Sequence, residues 1–168
     1  MPATDHPYYA TVDSPIGELF LAGDGESLGI LYMSDAKDYS HAYEGRTEDV
    51  AALQPAIDQL AAYFAGDRRE FDLKLNPAGT DFQRDVWNAL SAIPYGETRS
   101  YGEIAAQVGK PRAARAVGMA NNRNPIAVIV PCHRVIGADG SLTGYGGGLG
   151  RKELLLELER AVVVGASA

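Results

Sequence analysis

The only cysteine of this 168-residue chain, Cys132, stands in the run VIVPCHRVI at 128–136, between Pro131 and His133. A thiol becomes a useful nucleophile only as its thiolate, and a nearby imidazole in a positive environment favours that form. His133 and Arg134 follow directly, and Pro131 stiffens the backbone ahead of the sulfur. Adjacent side chains on a strand point apart, so contact between Cys132 and His133 requires a turn at Cys132 or a bridging water. A third group must then orient the imidazole. Glu159 on a C-terminal helix is the candidate, because Glu157 would face away from the Leu155 and Leu158 side. Spacing alone leaves other readings open: a cysteine that is only a small buried hydrophobe, or a Cys-His-Glu hydrolase acting on a small acyl substrate.

The elements around this run are legible from their periodicity. Near the N-terminus, Tyr8, Ala10 and Val12 alternate with their neighbours, and a strand follows at Leu19–Leu21. Asp24-Gly25 marks a tight turn, and LGILYM is the next strand. Residues 34–48 are polar and read as loop. Leu53, Ile57, Leu60 and Phe64 recur at helical spacing, which predicts a helix over 49–65 closed by Gly66. FDLKL at 71–75 reads as a short strand. The boundary of two domains falls in NPAGT, giving 1–76 and 77–168. Thr80/Gln83 and Ser100/Glu103 are capping boxes that open two helices. RAARAVGMANN makes a further helix after a tight glycine-containing turn, so the pair reads as a helix-turn-helix. Residues 126–131 read as an apolar strand leading to Cys132. RKELLLELERA is a final helix with Leu154, Leu155, Leu158 and Val162 inward. The fold class is α+β: a sheet with a helix, then a mostly helical half.

Net charge is −7, which at first argues against a nucleic-acid partner. Its distribution reverses that. Residues 1–95 hold 6 basic and 16 acidic side chains, whereas 96–134 hold 6 basic and 2 acidic, a net of +4. Local field decides where a polyanion docks. Within that stretch Ala113, Ala114, Ala116, Gly118 and Ala120 surround Arg115. A single long cation on a face of small residues suits entry into a DNA groove, and a DNA-binding module without chemistry would show the same feature. TGYGGGLG at 143–150 lacks both the P-loop pattern and the strand–GxGxxG–helix pattern, which argues against a nucleotide cofactor. His6 and His41 sit in polar segments and read as surface residues. One cysteine can build neither an internal disulfide nor a cysteine-rich zinc site. With no signal-peptide pattern and no long apolar segment, the expectation is a cytoplasmic protein without membrane contact.

These motifs resemble the O6-alkylguanine-DNA alkyltransferase family, the methylated-DNA–protein-cysteine methyltransferases. IVPCHRVIG matches its active-site motif, RAARAVGMANNRNP its recognition helix and asparagine hinge, and IPYGETRSYGEIA and GYGGGLGRKELLLELE match further segments. The resemblance covers roughly 80–160; the first 75 residues match more loosely, in the strand–helix order of an RNase H-like domain. It implies a (winged) helix-turn-helix in the C-terminal half. It implies a suicide enzyme of DNA repair that moves the alkyl group from O6-alkylguanine, and from O4-alkylthymine, in duplex DNA onto its own cysteine after base flipping. Cys132 would accept the group, His133 would deprotonate it through a water, and Glu159 would orient His133. Tyr101 would protonate the departing base and crowd the adjacent phosphate. Arg115 would fill the vacated stack, with Ala113, Ala116 and Arg123 also at the DNA. Asn124 would tie the recognition helix to the active-site turn. Pro131, Val135, Tyr145 and Gly146 would form the base pocket; some relatives carry serine where Gly146 stands. Some relatives also hold zinc through N-terminal cysteines, which this chain lacks, so neither a metal nor a cofactor is expected. The resemblance implies a monomer, with cooperative assembly along DNA left open.

Overall fold

The computed structural model describes residues 4–142 and 149–167. They divide into two compact units: Met1–Ala78 with Pro125–Ala127, and Gly79–Asn124 with Val128–Ala168.

In the first unit, β1 (Tyr8–Val12) pairs antiparallel with β2 (Leu19–Gly23), and β2 pairs antiparallel with β3 (Leu28–Met33). The order is β3-β2-β1-β4, with β4 (Thr47–Glu48) parallel to β1. Every residue of β2 is buried, so this central strand is covered on both faces. Phe20 carries one face: it stacks on Tyr9 at 5.5 Å and on Tyr32 at 6.4 Å, and meets Tyr39 edge-on. Such offset and edge-on pairs are favoured by the ring quadrupoles. The expected turn at Asp24 forms. Asp24 Oδ1 accepts from the amides of Glu26 and Ser27, and Gly25 takes φ +96°. The helix α1 (Gln54–Phe64) follows a short 3-10 turn at Ala51–Leu53.

Four expectations change here. Residues 71–75 form no strand; only Leu75 bridges Leu28, because Lys74 O and Asn76 N engage that one residue. The 34–48 segment is not all loop, since it holds β4 and a 3-10 turn at Tyr39–His41. The apolar run 126–131 is not a strand. Ile126 bridges Leu31, flanked by bonds from Leu31 N to Pro125 O and from Ala127 N to Leu31 O. The chain then turns at Val128, whose φ of +68° is unusual for a β-branched residue. His6 is buried at 2% exposure, its ring lying where a Cβ on Gly29 would fall.

The second unit is mainly helical: α2 (Asp81–Ser91), α3 (Tyr101–Gln107), α4 (Ala114–Asn122) and α5 (Leu149–Ser167). Both capping boxes form with reciprocal bonds. They satisfy amide groups that a helix start otherwise leaves bare. Helices α3 and α4 make the helix-turn-helix. β5 (Arg99–Ser100) and β6 (Val135–Ile136) pair in parallel and set the start of α3 beside the segment that follows Cys132. Trp87 Nε1 donates to Ala120 O at 2.9 Å, fastening α2 to α4. Among the described residues no helix is long and apolar enough to cross a membrane.

A Cβ on Gly23 would lie 2.4 Å from Ser27 O, a backbone atom that holds the 24–27 turn. Gly23→Ala is expected to destabilise the protein by about 1–3 kcal/mol, read as a lowered midpoint in urea unfolding; an unchanged midpoint would show that this turn is free to shift.

Candidate active site

Pro131 adopts φ −81° and ψ 65°, and Cys132 N donates to Val130 O at 2.8 Å. That is an inverse γ-turn, whose central φ proline supplies without strain. The chain passes directly into a 3-10 turn over Cys132–Arg134, and all three residues are buried. Cys132 and His133 therefore sit on a tight turn, not on a strand where they would point apart.

His133 is wholly buried, and its Nε2 lies 2.6 Å from Glu159 Oε2. A carboxylate only accepts, so Nε2 carries the proton and Nδ1 keeps its lone pair. Nδ1 has no hydrogen-bond partner among the described residues. Burial drives the His133 pKa below its ordinary value, against the pull of Glu159, so the ring is neutral at pH 7. Burial alone would raise Glu159. The hydrogen bonds and charges of His133 and Arg134 outweigh it and hold the carboxyl at about 2.

Arg134 clamps that carboxylate from the other side. Its Nε is 2.6 Å from Glu159 Oε1, its Nη1 donates to Ile93 O at 2.8 Å, and its guanidinium lies 5.5 Å from the centre of the Tyr95 ring. Lys152 is also fully buried and donates to Val135 O. Burial lowers its pKa, while Cys132 favours its charged form. Lys152 thus lies within electrostatic reach of the sulfur, where its charged form and a thiolate favour each other.

The remaining expected residues divide by location. Tyr101, half-buried, opens α3, and a Cβ on Gly118 of α4 would lie 3.8 Å from its ring. Asn124 Nδ2 donates to Val130 O at 2.8 Å, which joins the end of α4 to the active-site turn. Arg115, Ala116 and Arg123 are exposed along α4, with Ala113 half-buried at its start. Ala116 and Arg123 border an open hollow of about 200 Å³ that Phe82 and Met119 also line. Val135 is buried, and Lys152 already occupies its carbonyl. Tyr145 and Gly146 lie outside the described residues. The expected inward set of α5 is corrected: Leu154 is 50% exposed, and Leu156 is buried in its place. The buried stripe is Lys152, Leu155, Leu156 and Glu159.

Sequence reasoning missed Arg134, Lys152 and Asn121 as parts of the site. For Lys152 the signal was spacing. Lys152 and Glu159 are seven apart and share a helix face with Leu155 and Leu156.

Fold and site together define a two-part protein: a small sheet unit, and a helix-turn-helix unit that carries a buried cysteine beside a polarised histidine. Comparison with known proteins gives that class its family. The 6-O-methylguanine DNA methyltransferase ribonuclease-like domain matches residues 7–77, and the DNA binding domain of the same family matches 81–161. The chain belongs to this family. It is 61% identical over 154 residues to the methylated-DNA–protein-cysteine methyltransferase of Mycobacterium tuberculosis, covering 92% of this chain and 93% of that one. It is 57% identical over 152 residues to the protein of that name from Methanosarcina acetivorans, covering 90% and 97%. The crystal structure of Mycobacterium tuberculosis OGT in complex with DNA superposes with a TM-score of 0.86 at 61% identity, over 92% of this chain and 94% of that one.

The pKa shifts set the acid stability of the site. Both folded values lie below their unfolded ones, so the unfolded state binds more protons and acid favours it. The His133 share is complete above 6.5 and is lost as pH falls below that value. The Glu159 share is complete above 4.5 and is lost as pH falls towards about 2; at 1.36 kcal/mol per unit it comes to roughly 3 kcal/mol. Glu159→Gln should lower Tm at neutral pH, because Arg134 is left buried without its carboxylate. It should also flatten the dependence on pH below 4.5. Parallel Tm–pH curves for the two proteins would show that Glu159 is not the titrating group.

Proposed function

We propose that this chain is a DNA repair methyltransferase that removes the alkyl group from O6-alkylguanine in duplex DNA onto Cys132, a methylated-DNA–[protein]-cysteine S-methyltransferase consumed by one turnover. The observation that carries this reading is a single buried cysteine on a tight turn, beside a neutral histidine whose free lone pair is set by a buried carboxylate.

The alkylated base edge lies inside the duplex, so the nucleotide must leave the stack to meet the sulfur, at a cost of a few kcal/mol. Arg115 is the residue to take its place: it is exposed on α4, among small side chains that permit close approach. His133 Nδ1 takes the Cys132 proton by way of a water. The thiolate attacks the alkyl carbon in line, the S–C bond forms, and the C–O6 bond breaks with its electrons passing to the base. Tyr101 supplies the proton that the departing guanine takes up. Its place beside Gly118, and the β5–β6 pairing that sets the start of α3, support that role. The thioether formed is a poor leaving group, so Cys132 keeps the alkyl group and no cofactor is called on. O4-alkylthymine offers the same O-alkyl chemistry and is the second substrate. A hydrolase reading is weaker, because it makes no use of the helix-turn-helix. We also propose that the chain works as a monomer in the cytoplasm, where a reducing environment keeps the lone thiol free.

Incubation with a duplex oligonucleotide carrying O6-methylguanine should add one permanent methyl group, mapped to Cys132 by mass spectrometry. Unchanged mass with tight binding would leave a module that only binds DNA, and repeated turnover on an ester would favour the hydrolase. Cys132→Ser should bind the lesion without transfer. Arg115→Ala should slow repair in duplex DNA far more than reaction with the free modified base; equal slowing of both would remove Arg115 from the stack-filling role.

A further inference from the structure

Asn121 lies on the inward face of α4 at 1% exposure. Its Nδ2 donates to Cys132 O at 3.3 Å. A carbonyl oxygen only accepts, which fixes the amide orientation and leaves Oδ1 as the other atom. Asn121 Oδ1 is buried with no hydrogen-bond partner among the described residues. His133 Nδ1, on the residue after Cys132, is in the same condition. A buried acceptor that nothing meets keeps its full desolvation penalty. Both are acceptors, so neither satisfies the other, and among the described residues no side-chain donor reaches them. One small molecule satisfies two buried acceptors at once while still accepting from a thiol: a water, which has two hydrogens to give and two lone pairs.

We infer that Asn121 is a positioning residue for the proton transfer that arms Cys132, its Oδ1 holding the water that links the thiol to His133. In the resting site that water donates to Asn121 Oδ1 and to His133 Nδ1 and accepts from the Cys132 S–H. In the transfer it takes the thiol proton and gives one of its own to Nδ1. Afterwards it accepts from Nδ1–H and donates to the thiolate and, as before, to Oδ1. Asn121 thus serves both states without moving, because its Nδ2 is anchored on the Cys132 carbonyl. The charged groups around this path are Glu159, Arg134 and Lys152, and a substitution at Asn121 alters none of them. The inference rests on the alkyl-transfer reading above and extends it to a residue that touches neither base nor sulfur.

The test is single-turnover transfer from free O6-benzylguanine, which avoids DNA docking, followed from neutral to alkaline pH. Asn121→Ala should slow transfer at neutral pH on the order of 10²-fold and converge on the wild-type rate at alkaline pH, where the thiol ionises unaided. Asn121→Ser, which keeps an oxygen acceptor, should recover part of the neutral rate. Equal slowing at every pH, or no slowing, would overturn the proposal while leaving the alkyl-transfer reading intact. Failure of the wild-type protein to take up either this benzyl group or the methyl group of O6-methylguanine in duplex DNA would remove both. Should Asn121→Ala not fold, a high-resolution crystal structure of the wild-type protein decides. An ordered water within hydrogen-bond reach of Asn121 Oδ1 and His133 Nδ1 supports the role, and a protein donor on Oδ1 refutes it.

Discussion

A carboxylate buried to 1% exposure governs the second unit. Left alone, Glu159 would take up a proton rather than remain charged in so dry a place. Arg134 and His133 prevent that by bonding its two oxygens. Removing either partner leaves a buried charge uncompensated, which is far worse than never having had the pair. Much of the local architecture follows from meeting this condition. The 3-10 turn places His133 and Arg134 on consecutive residues facing one side chain. Ile93 O takes the far end of the guanidinium, and α5 must present residue 159 inward. The chemical consequence is a histidine of fixed tautomer, with its basic nitrogen turned away from the carboxylate.

A second constraint ties this site to the surface. Helix α4 shows Arg115 outward, while its C-terminal end holds the active-site turn through Asn121 and Asn124. Trp87 fastens the same end from α2. The helix proposed to dock against DNA is therefore mechanically continuous with the backbone on either side of Cys132.

The sequence disclosed much of this because local signals were strong. The capping boxes, the Asp24-Gly25 turn and the Pro-Cys-His-Arg run each have one good structural solution. What escaped it depended on side chains whose polarity belied their burial. Lys152 and Glu159 lie on the inward stripe of α5, but reading only its leucines placed Leu154 inside and left Lys152 out. Arg134 was noticed without being given a partner, since only the fold brings residue 159 to it. Asn121 carried no pattern of its own. His6 looked solvated in a polar segment, yet Gly29 opens room for its ring. The apolar run at 126–131 had the composition of a strand. The left-handed turn at Val128 and the return of Pro125–Ala127 to the first unit break it, and neither is encoded in hydrophobic spacing.

His133 is a neutral ring, protonated at Nε2 and basic at Nδ1, because a buried carboxylate compels it. The imidazole nitrogens report this directly through their ¹⁵N chemical shifts in the folded, unalkylated protein. At neutral pH they should show one protonated nitrogen at Nε2 and one bare nitrogen at Nδ1. Two protonated nitrogens, or a proton on Nδ1 with Nε2 bare, would contradict the account.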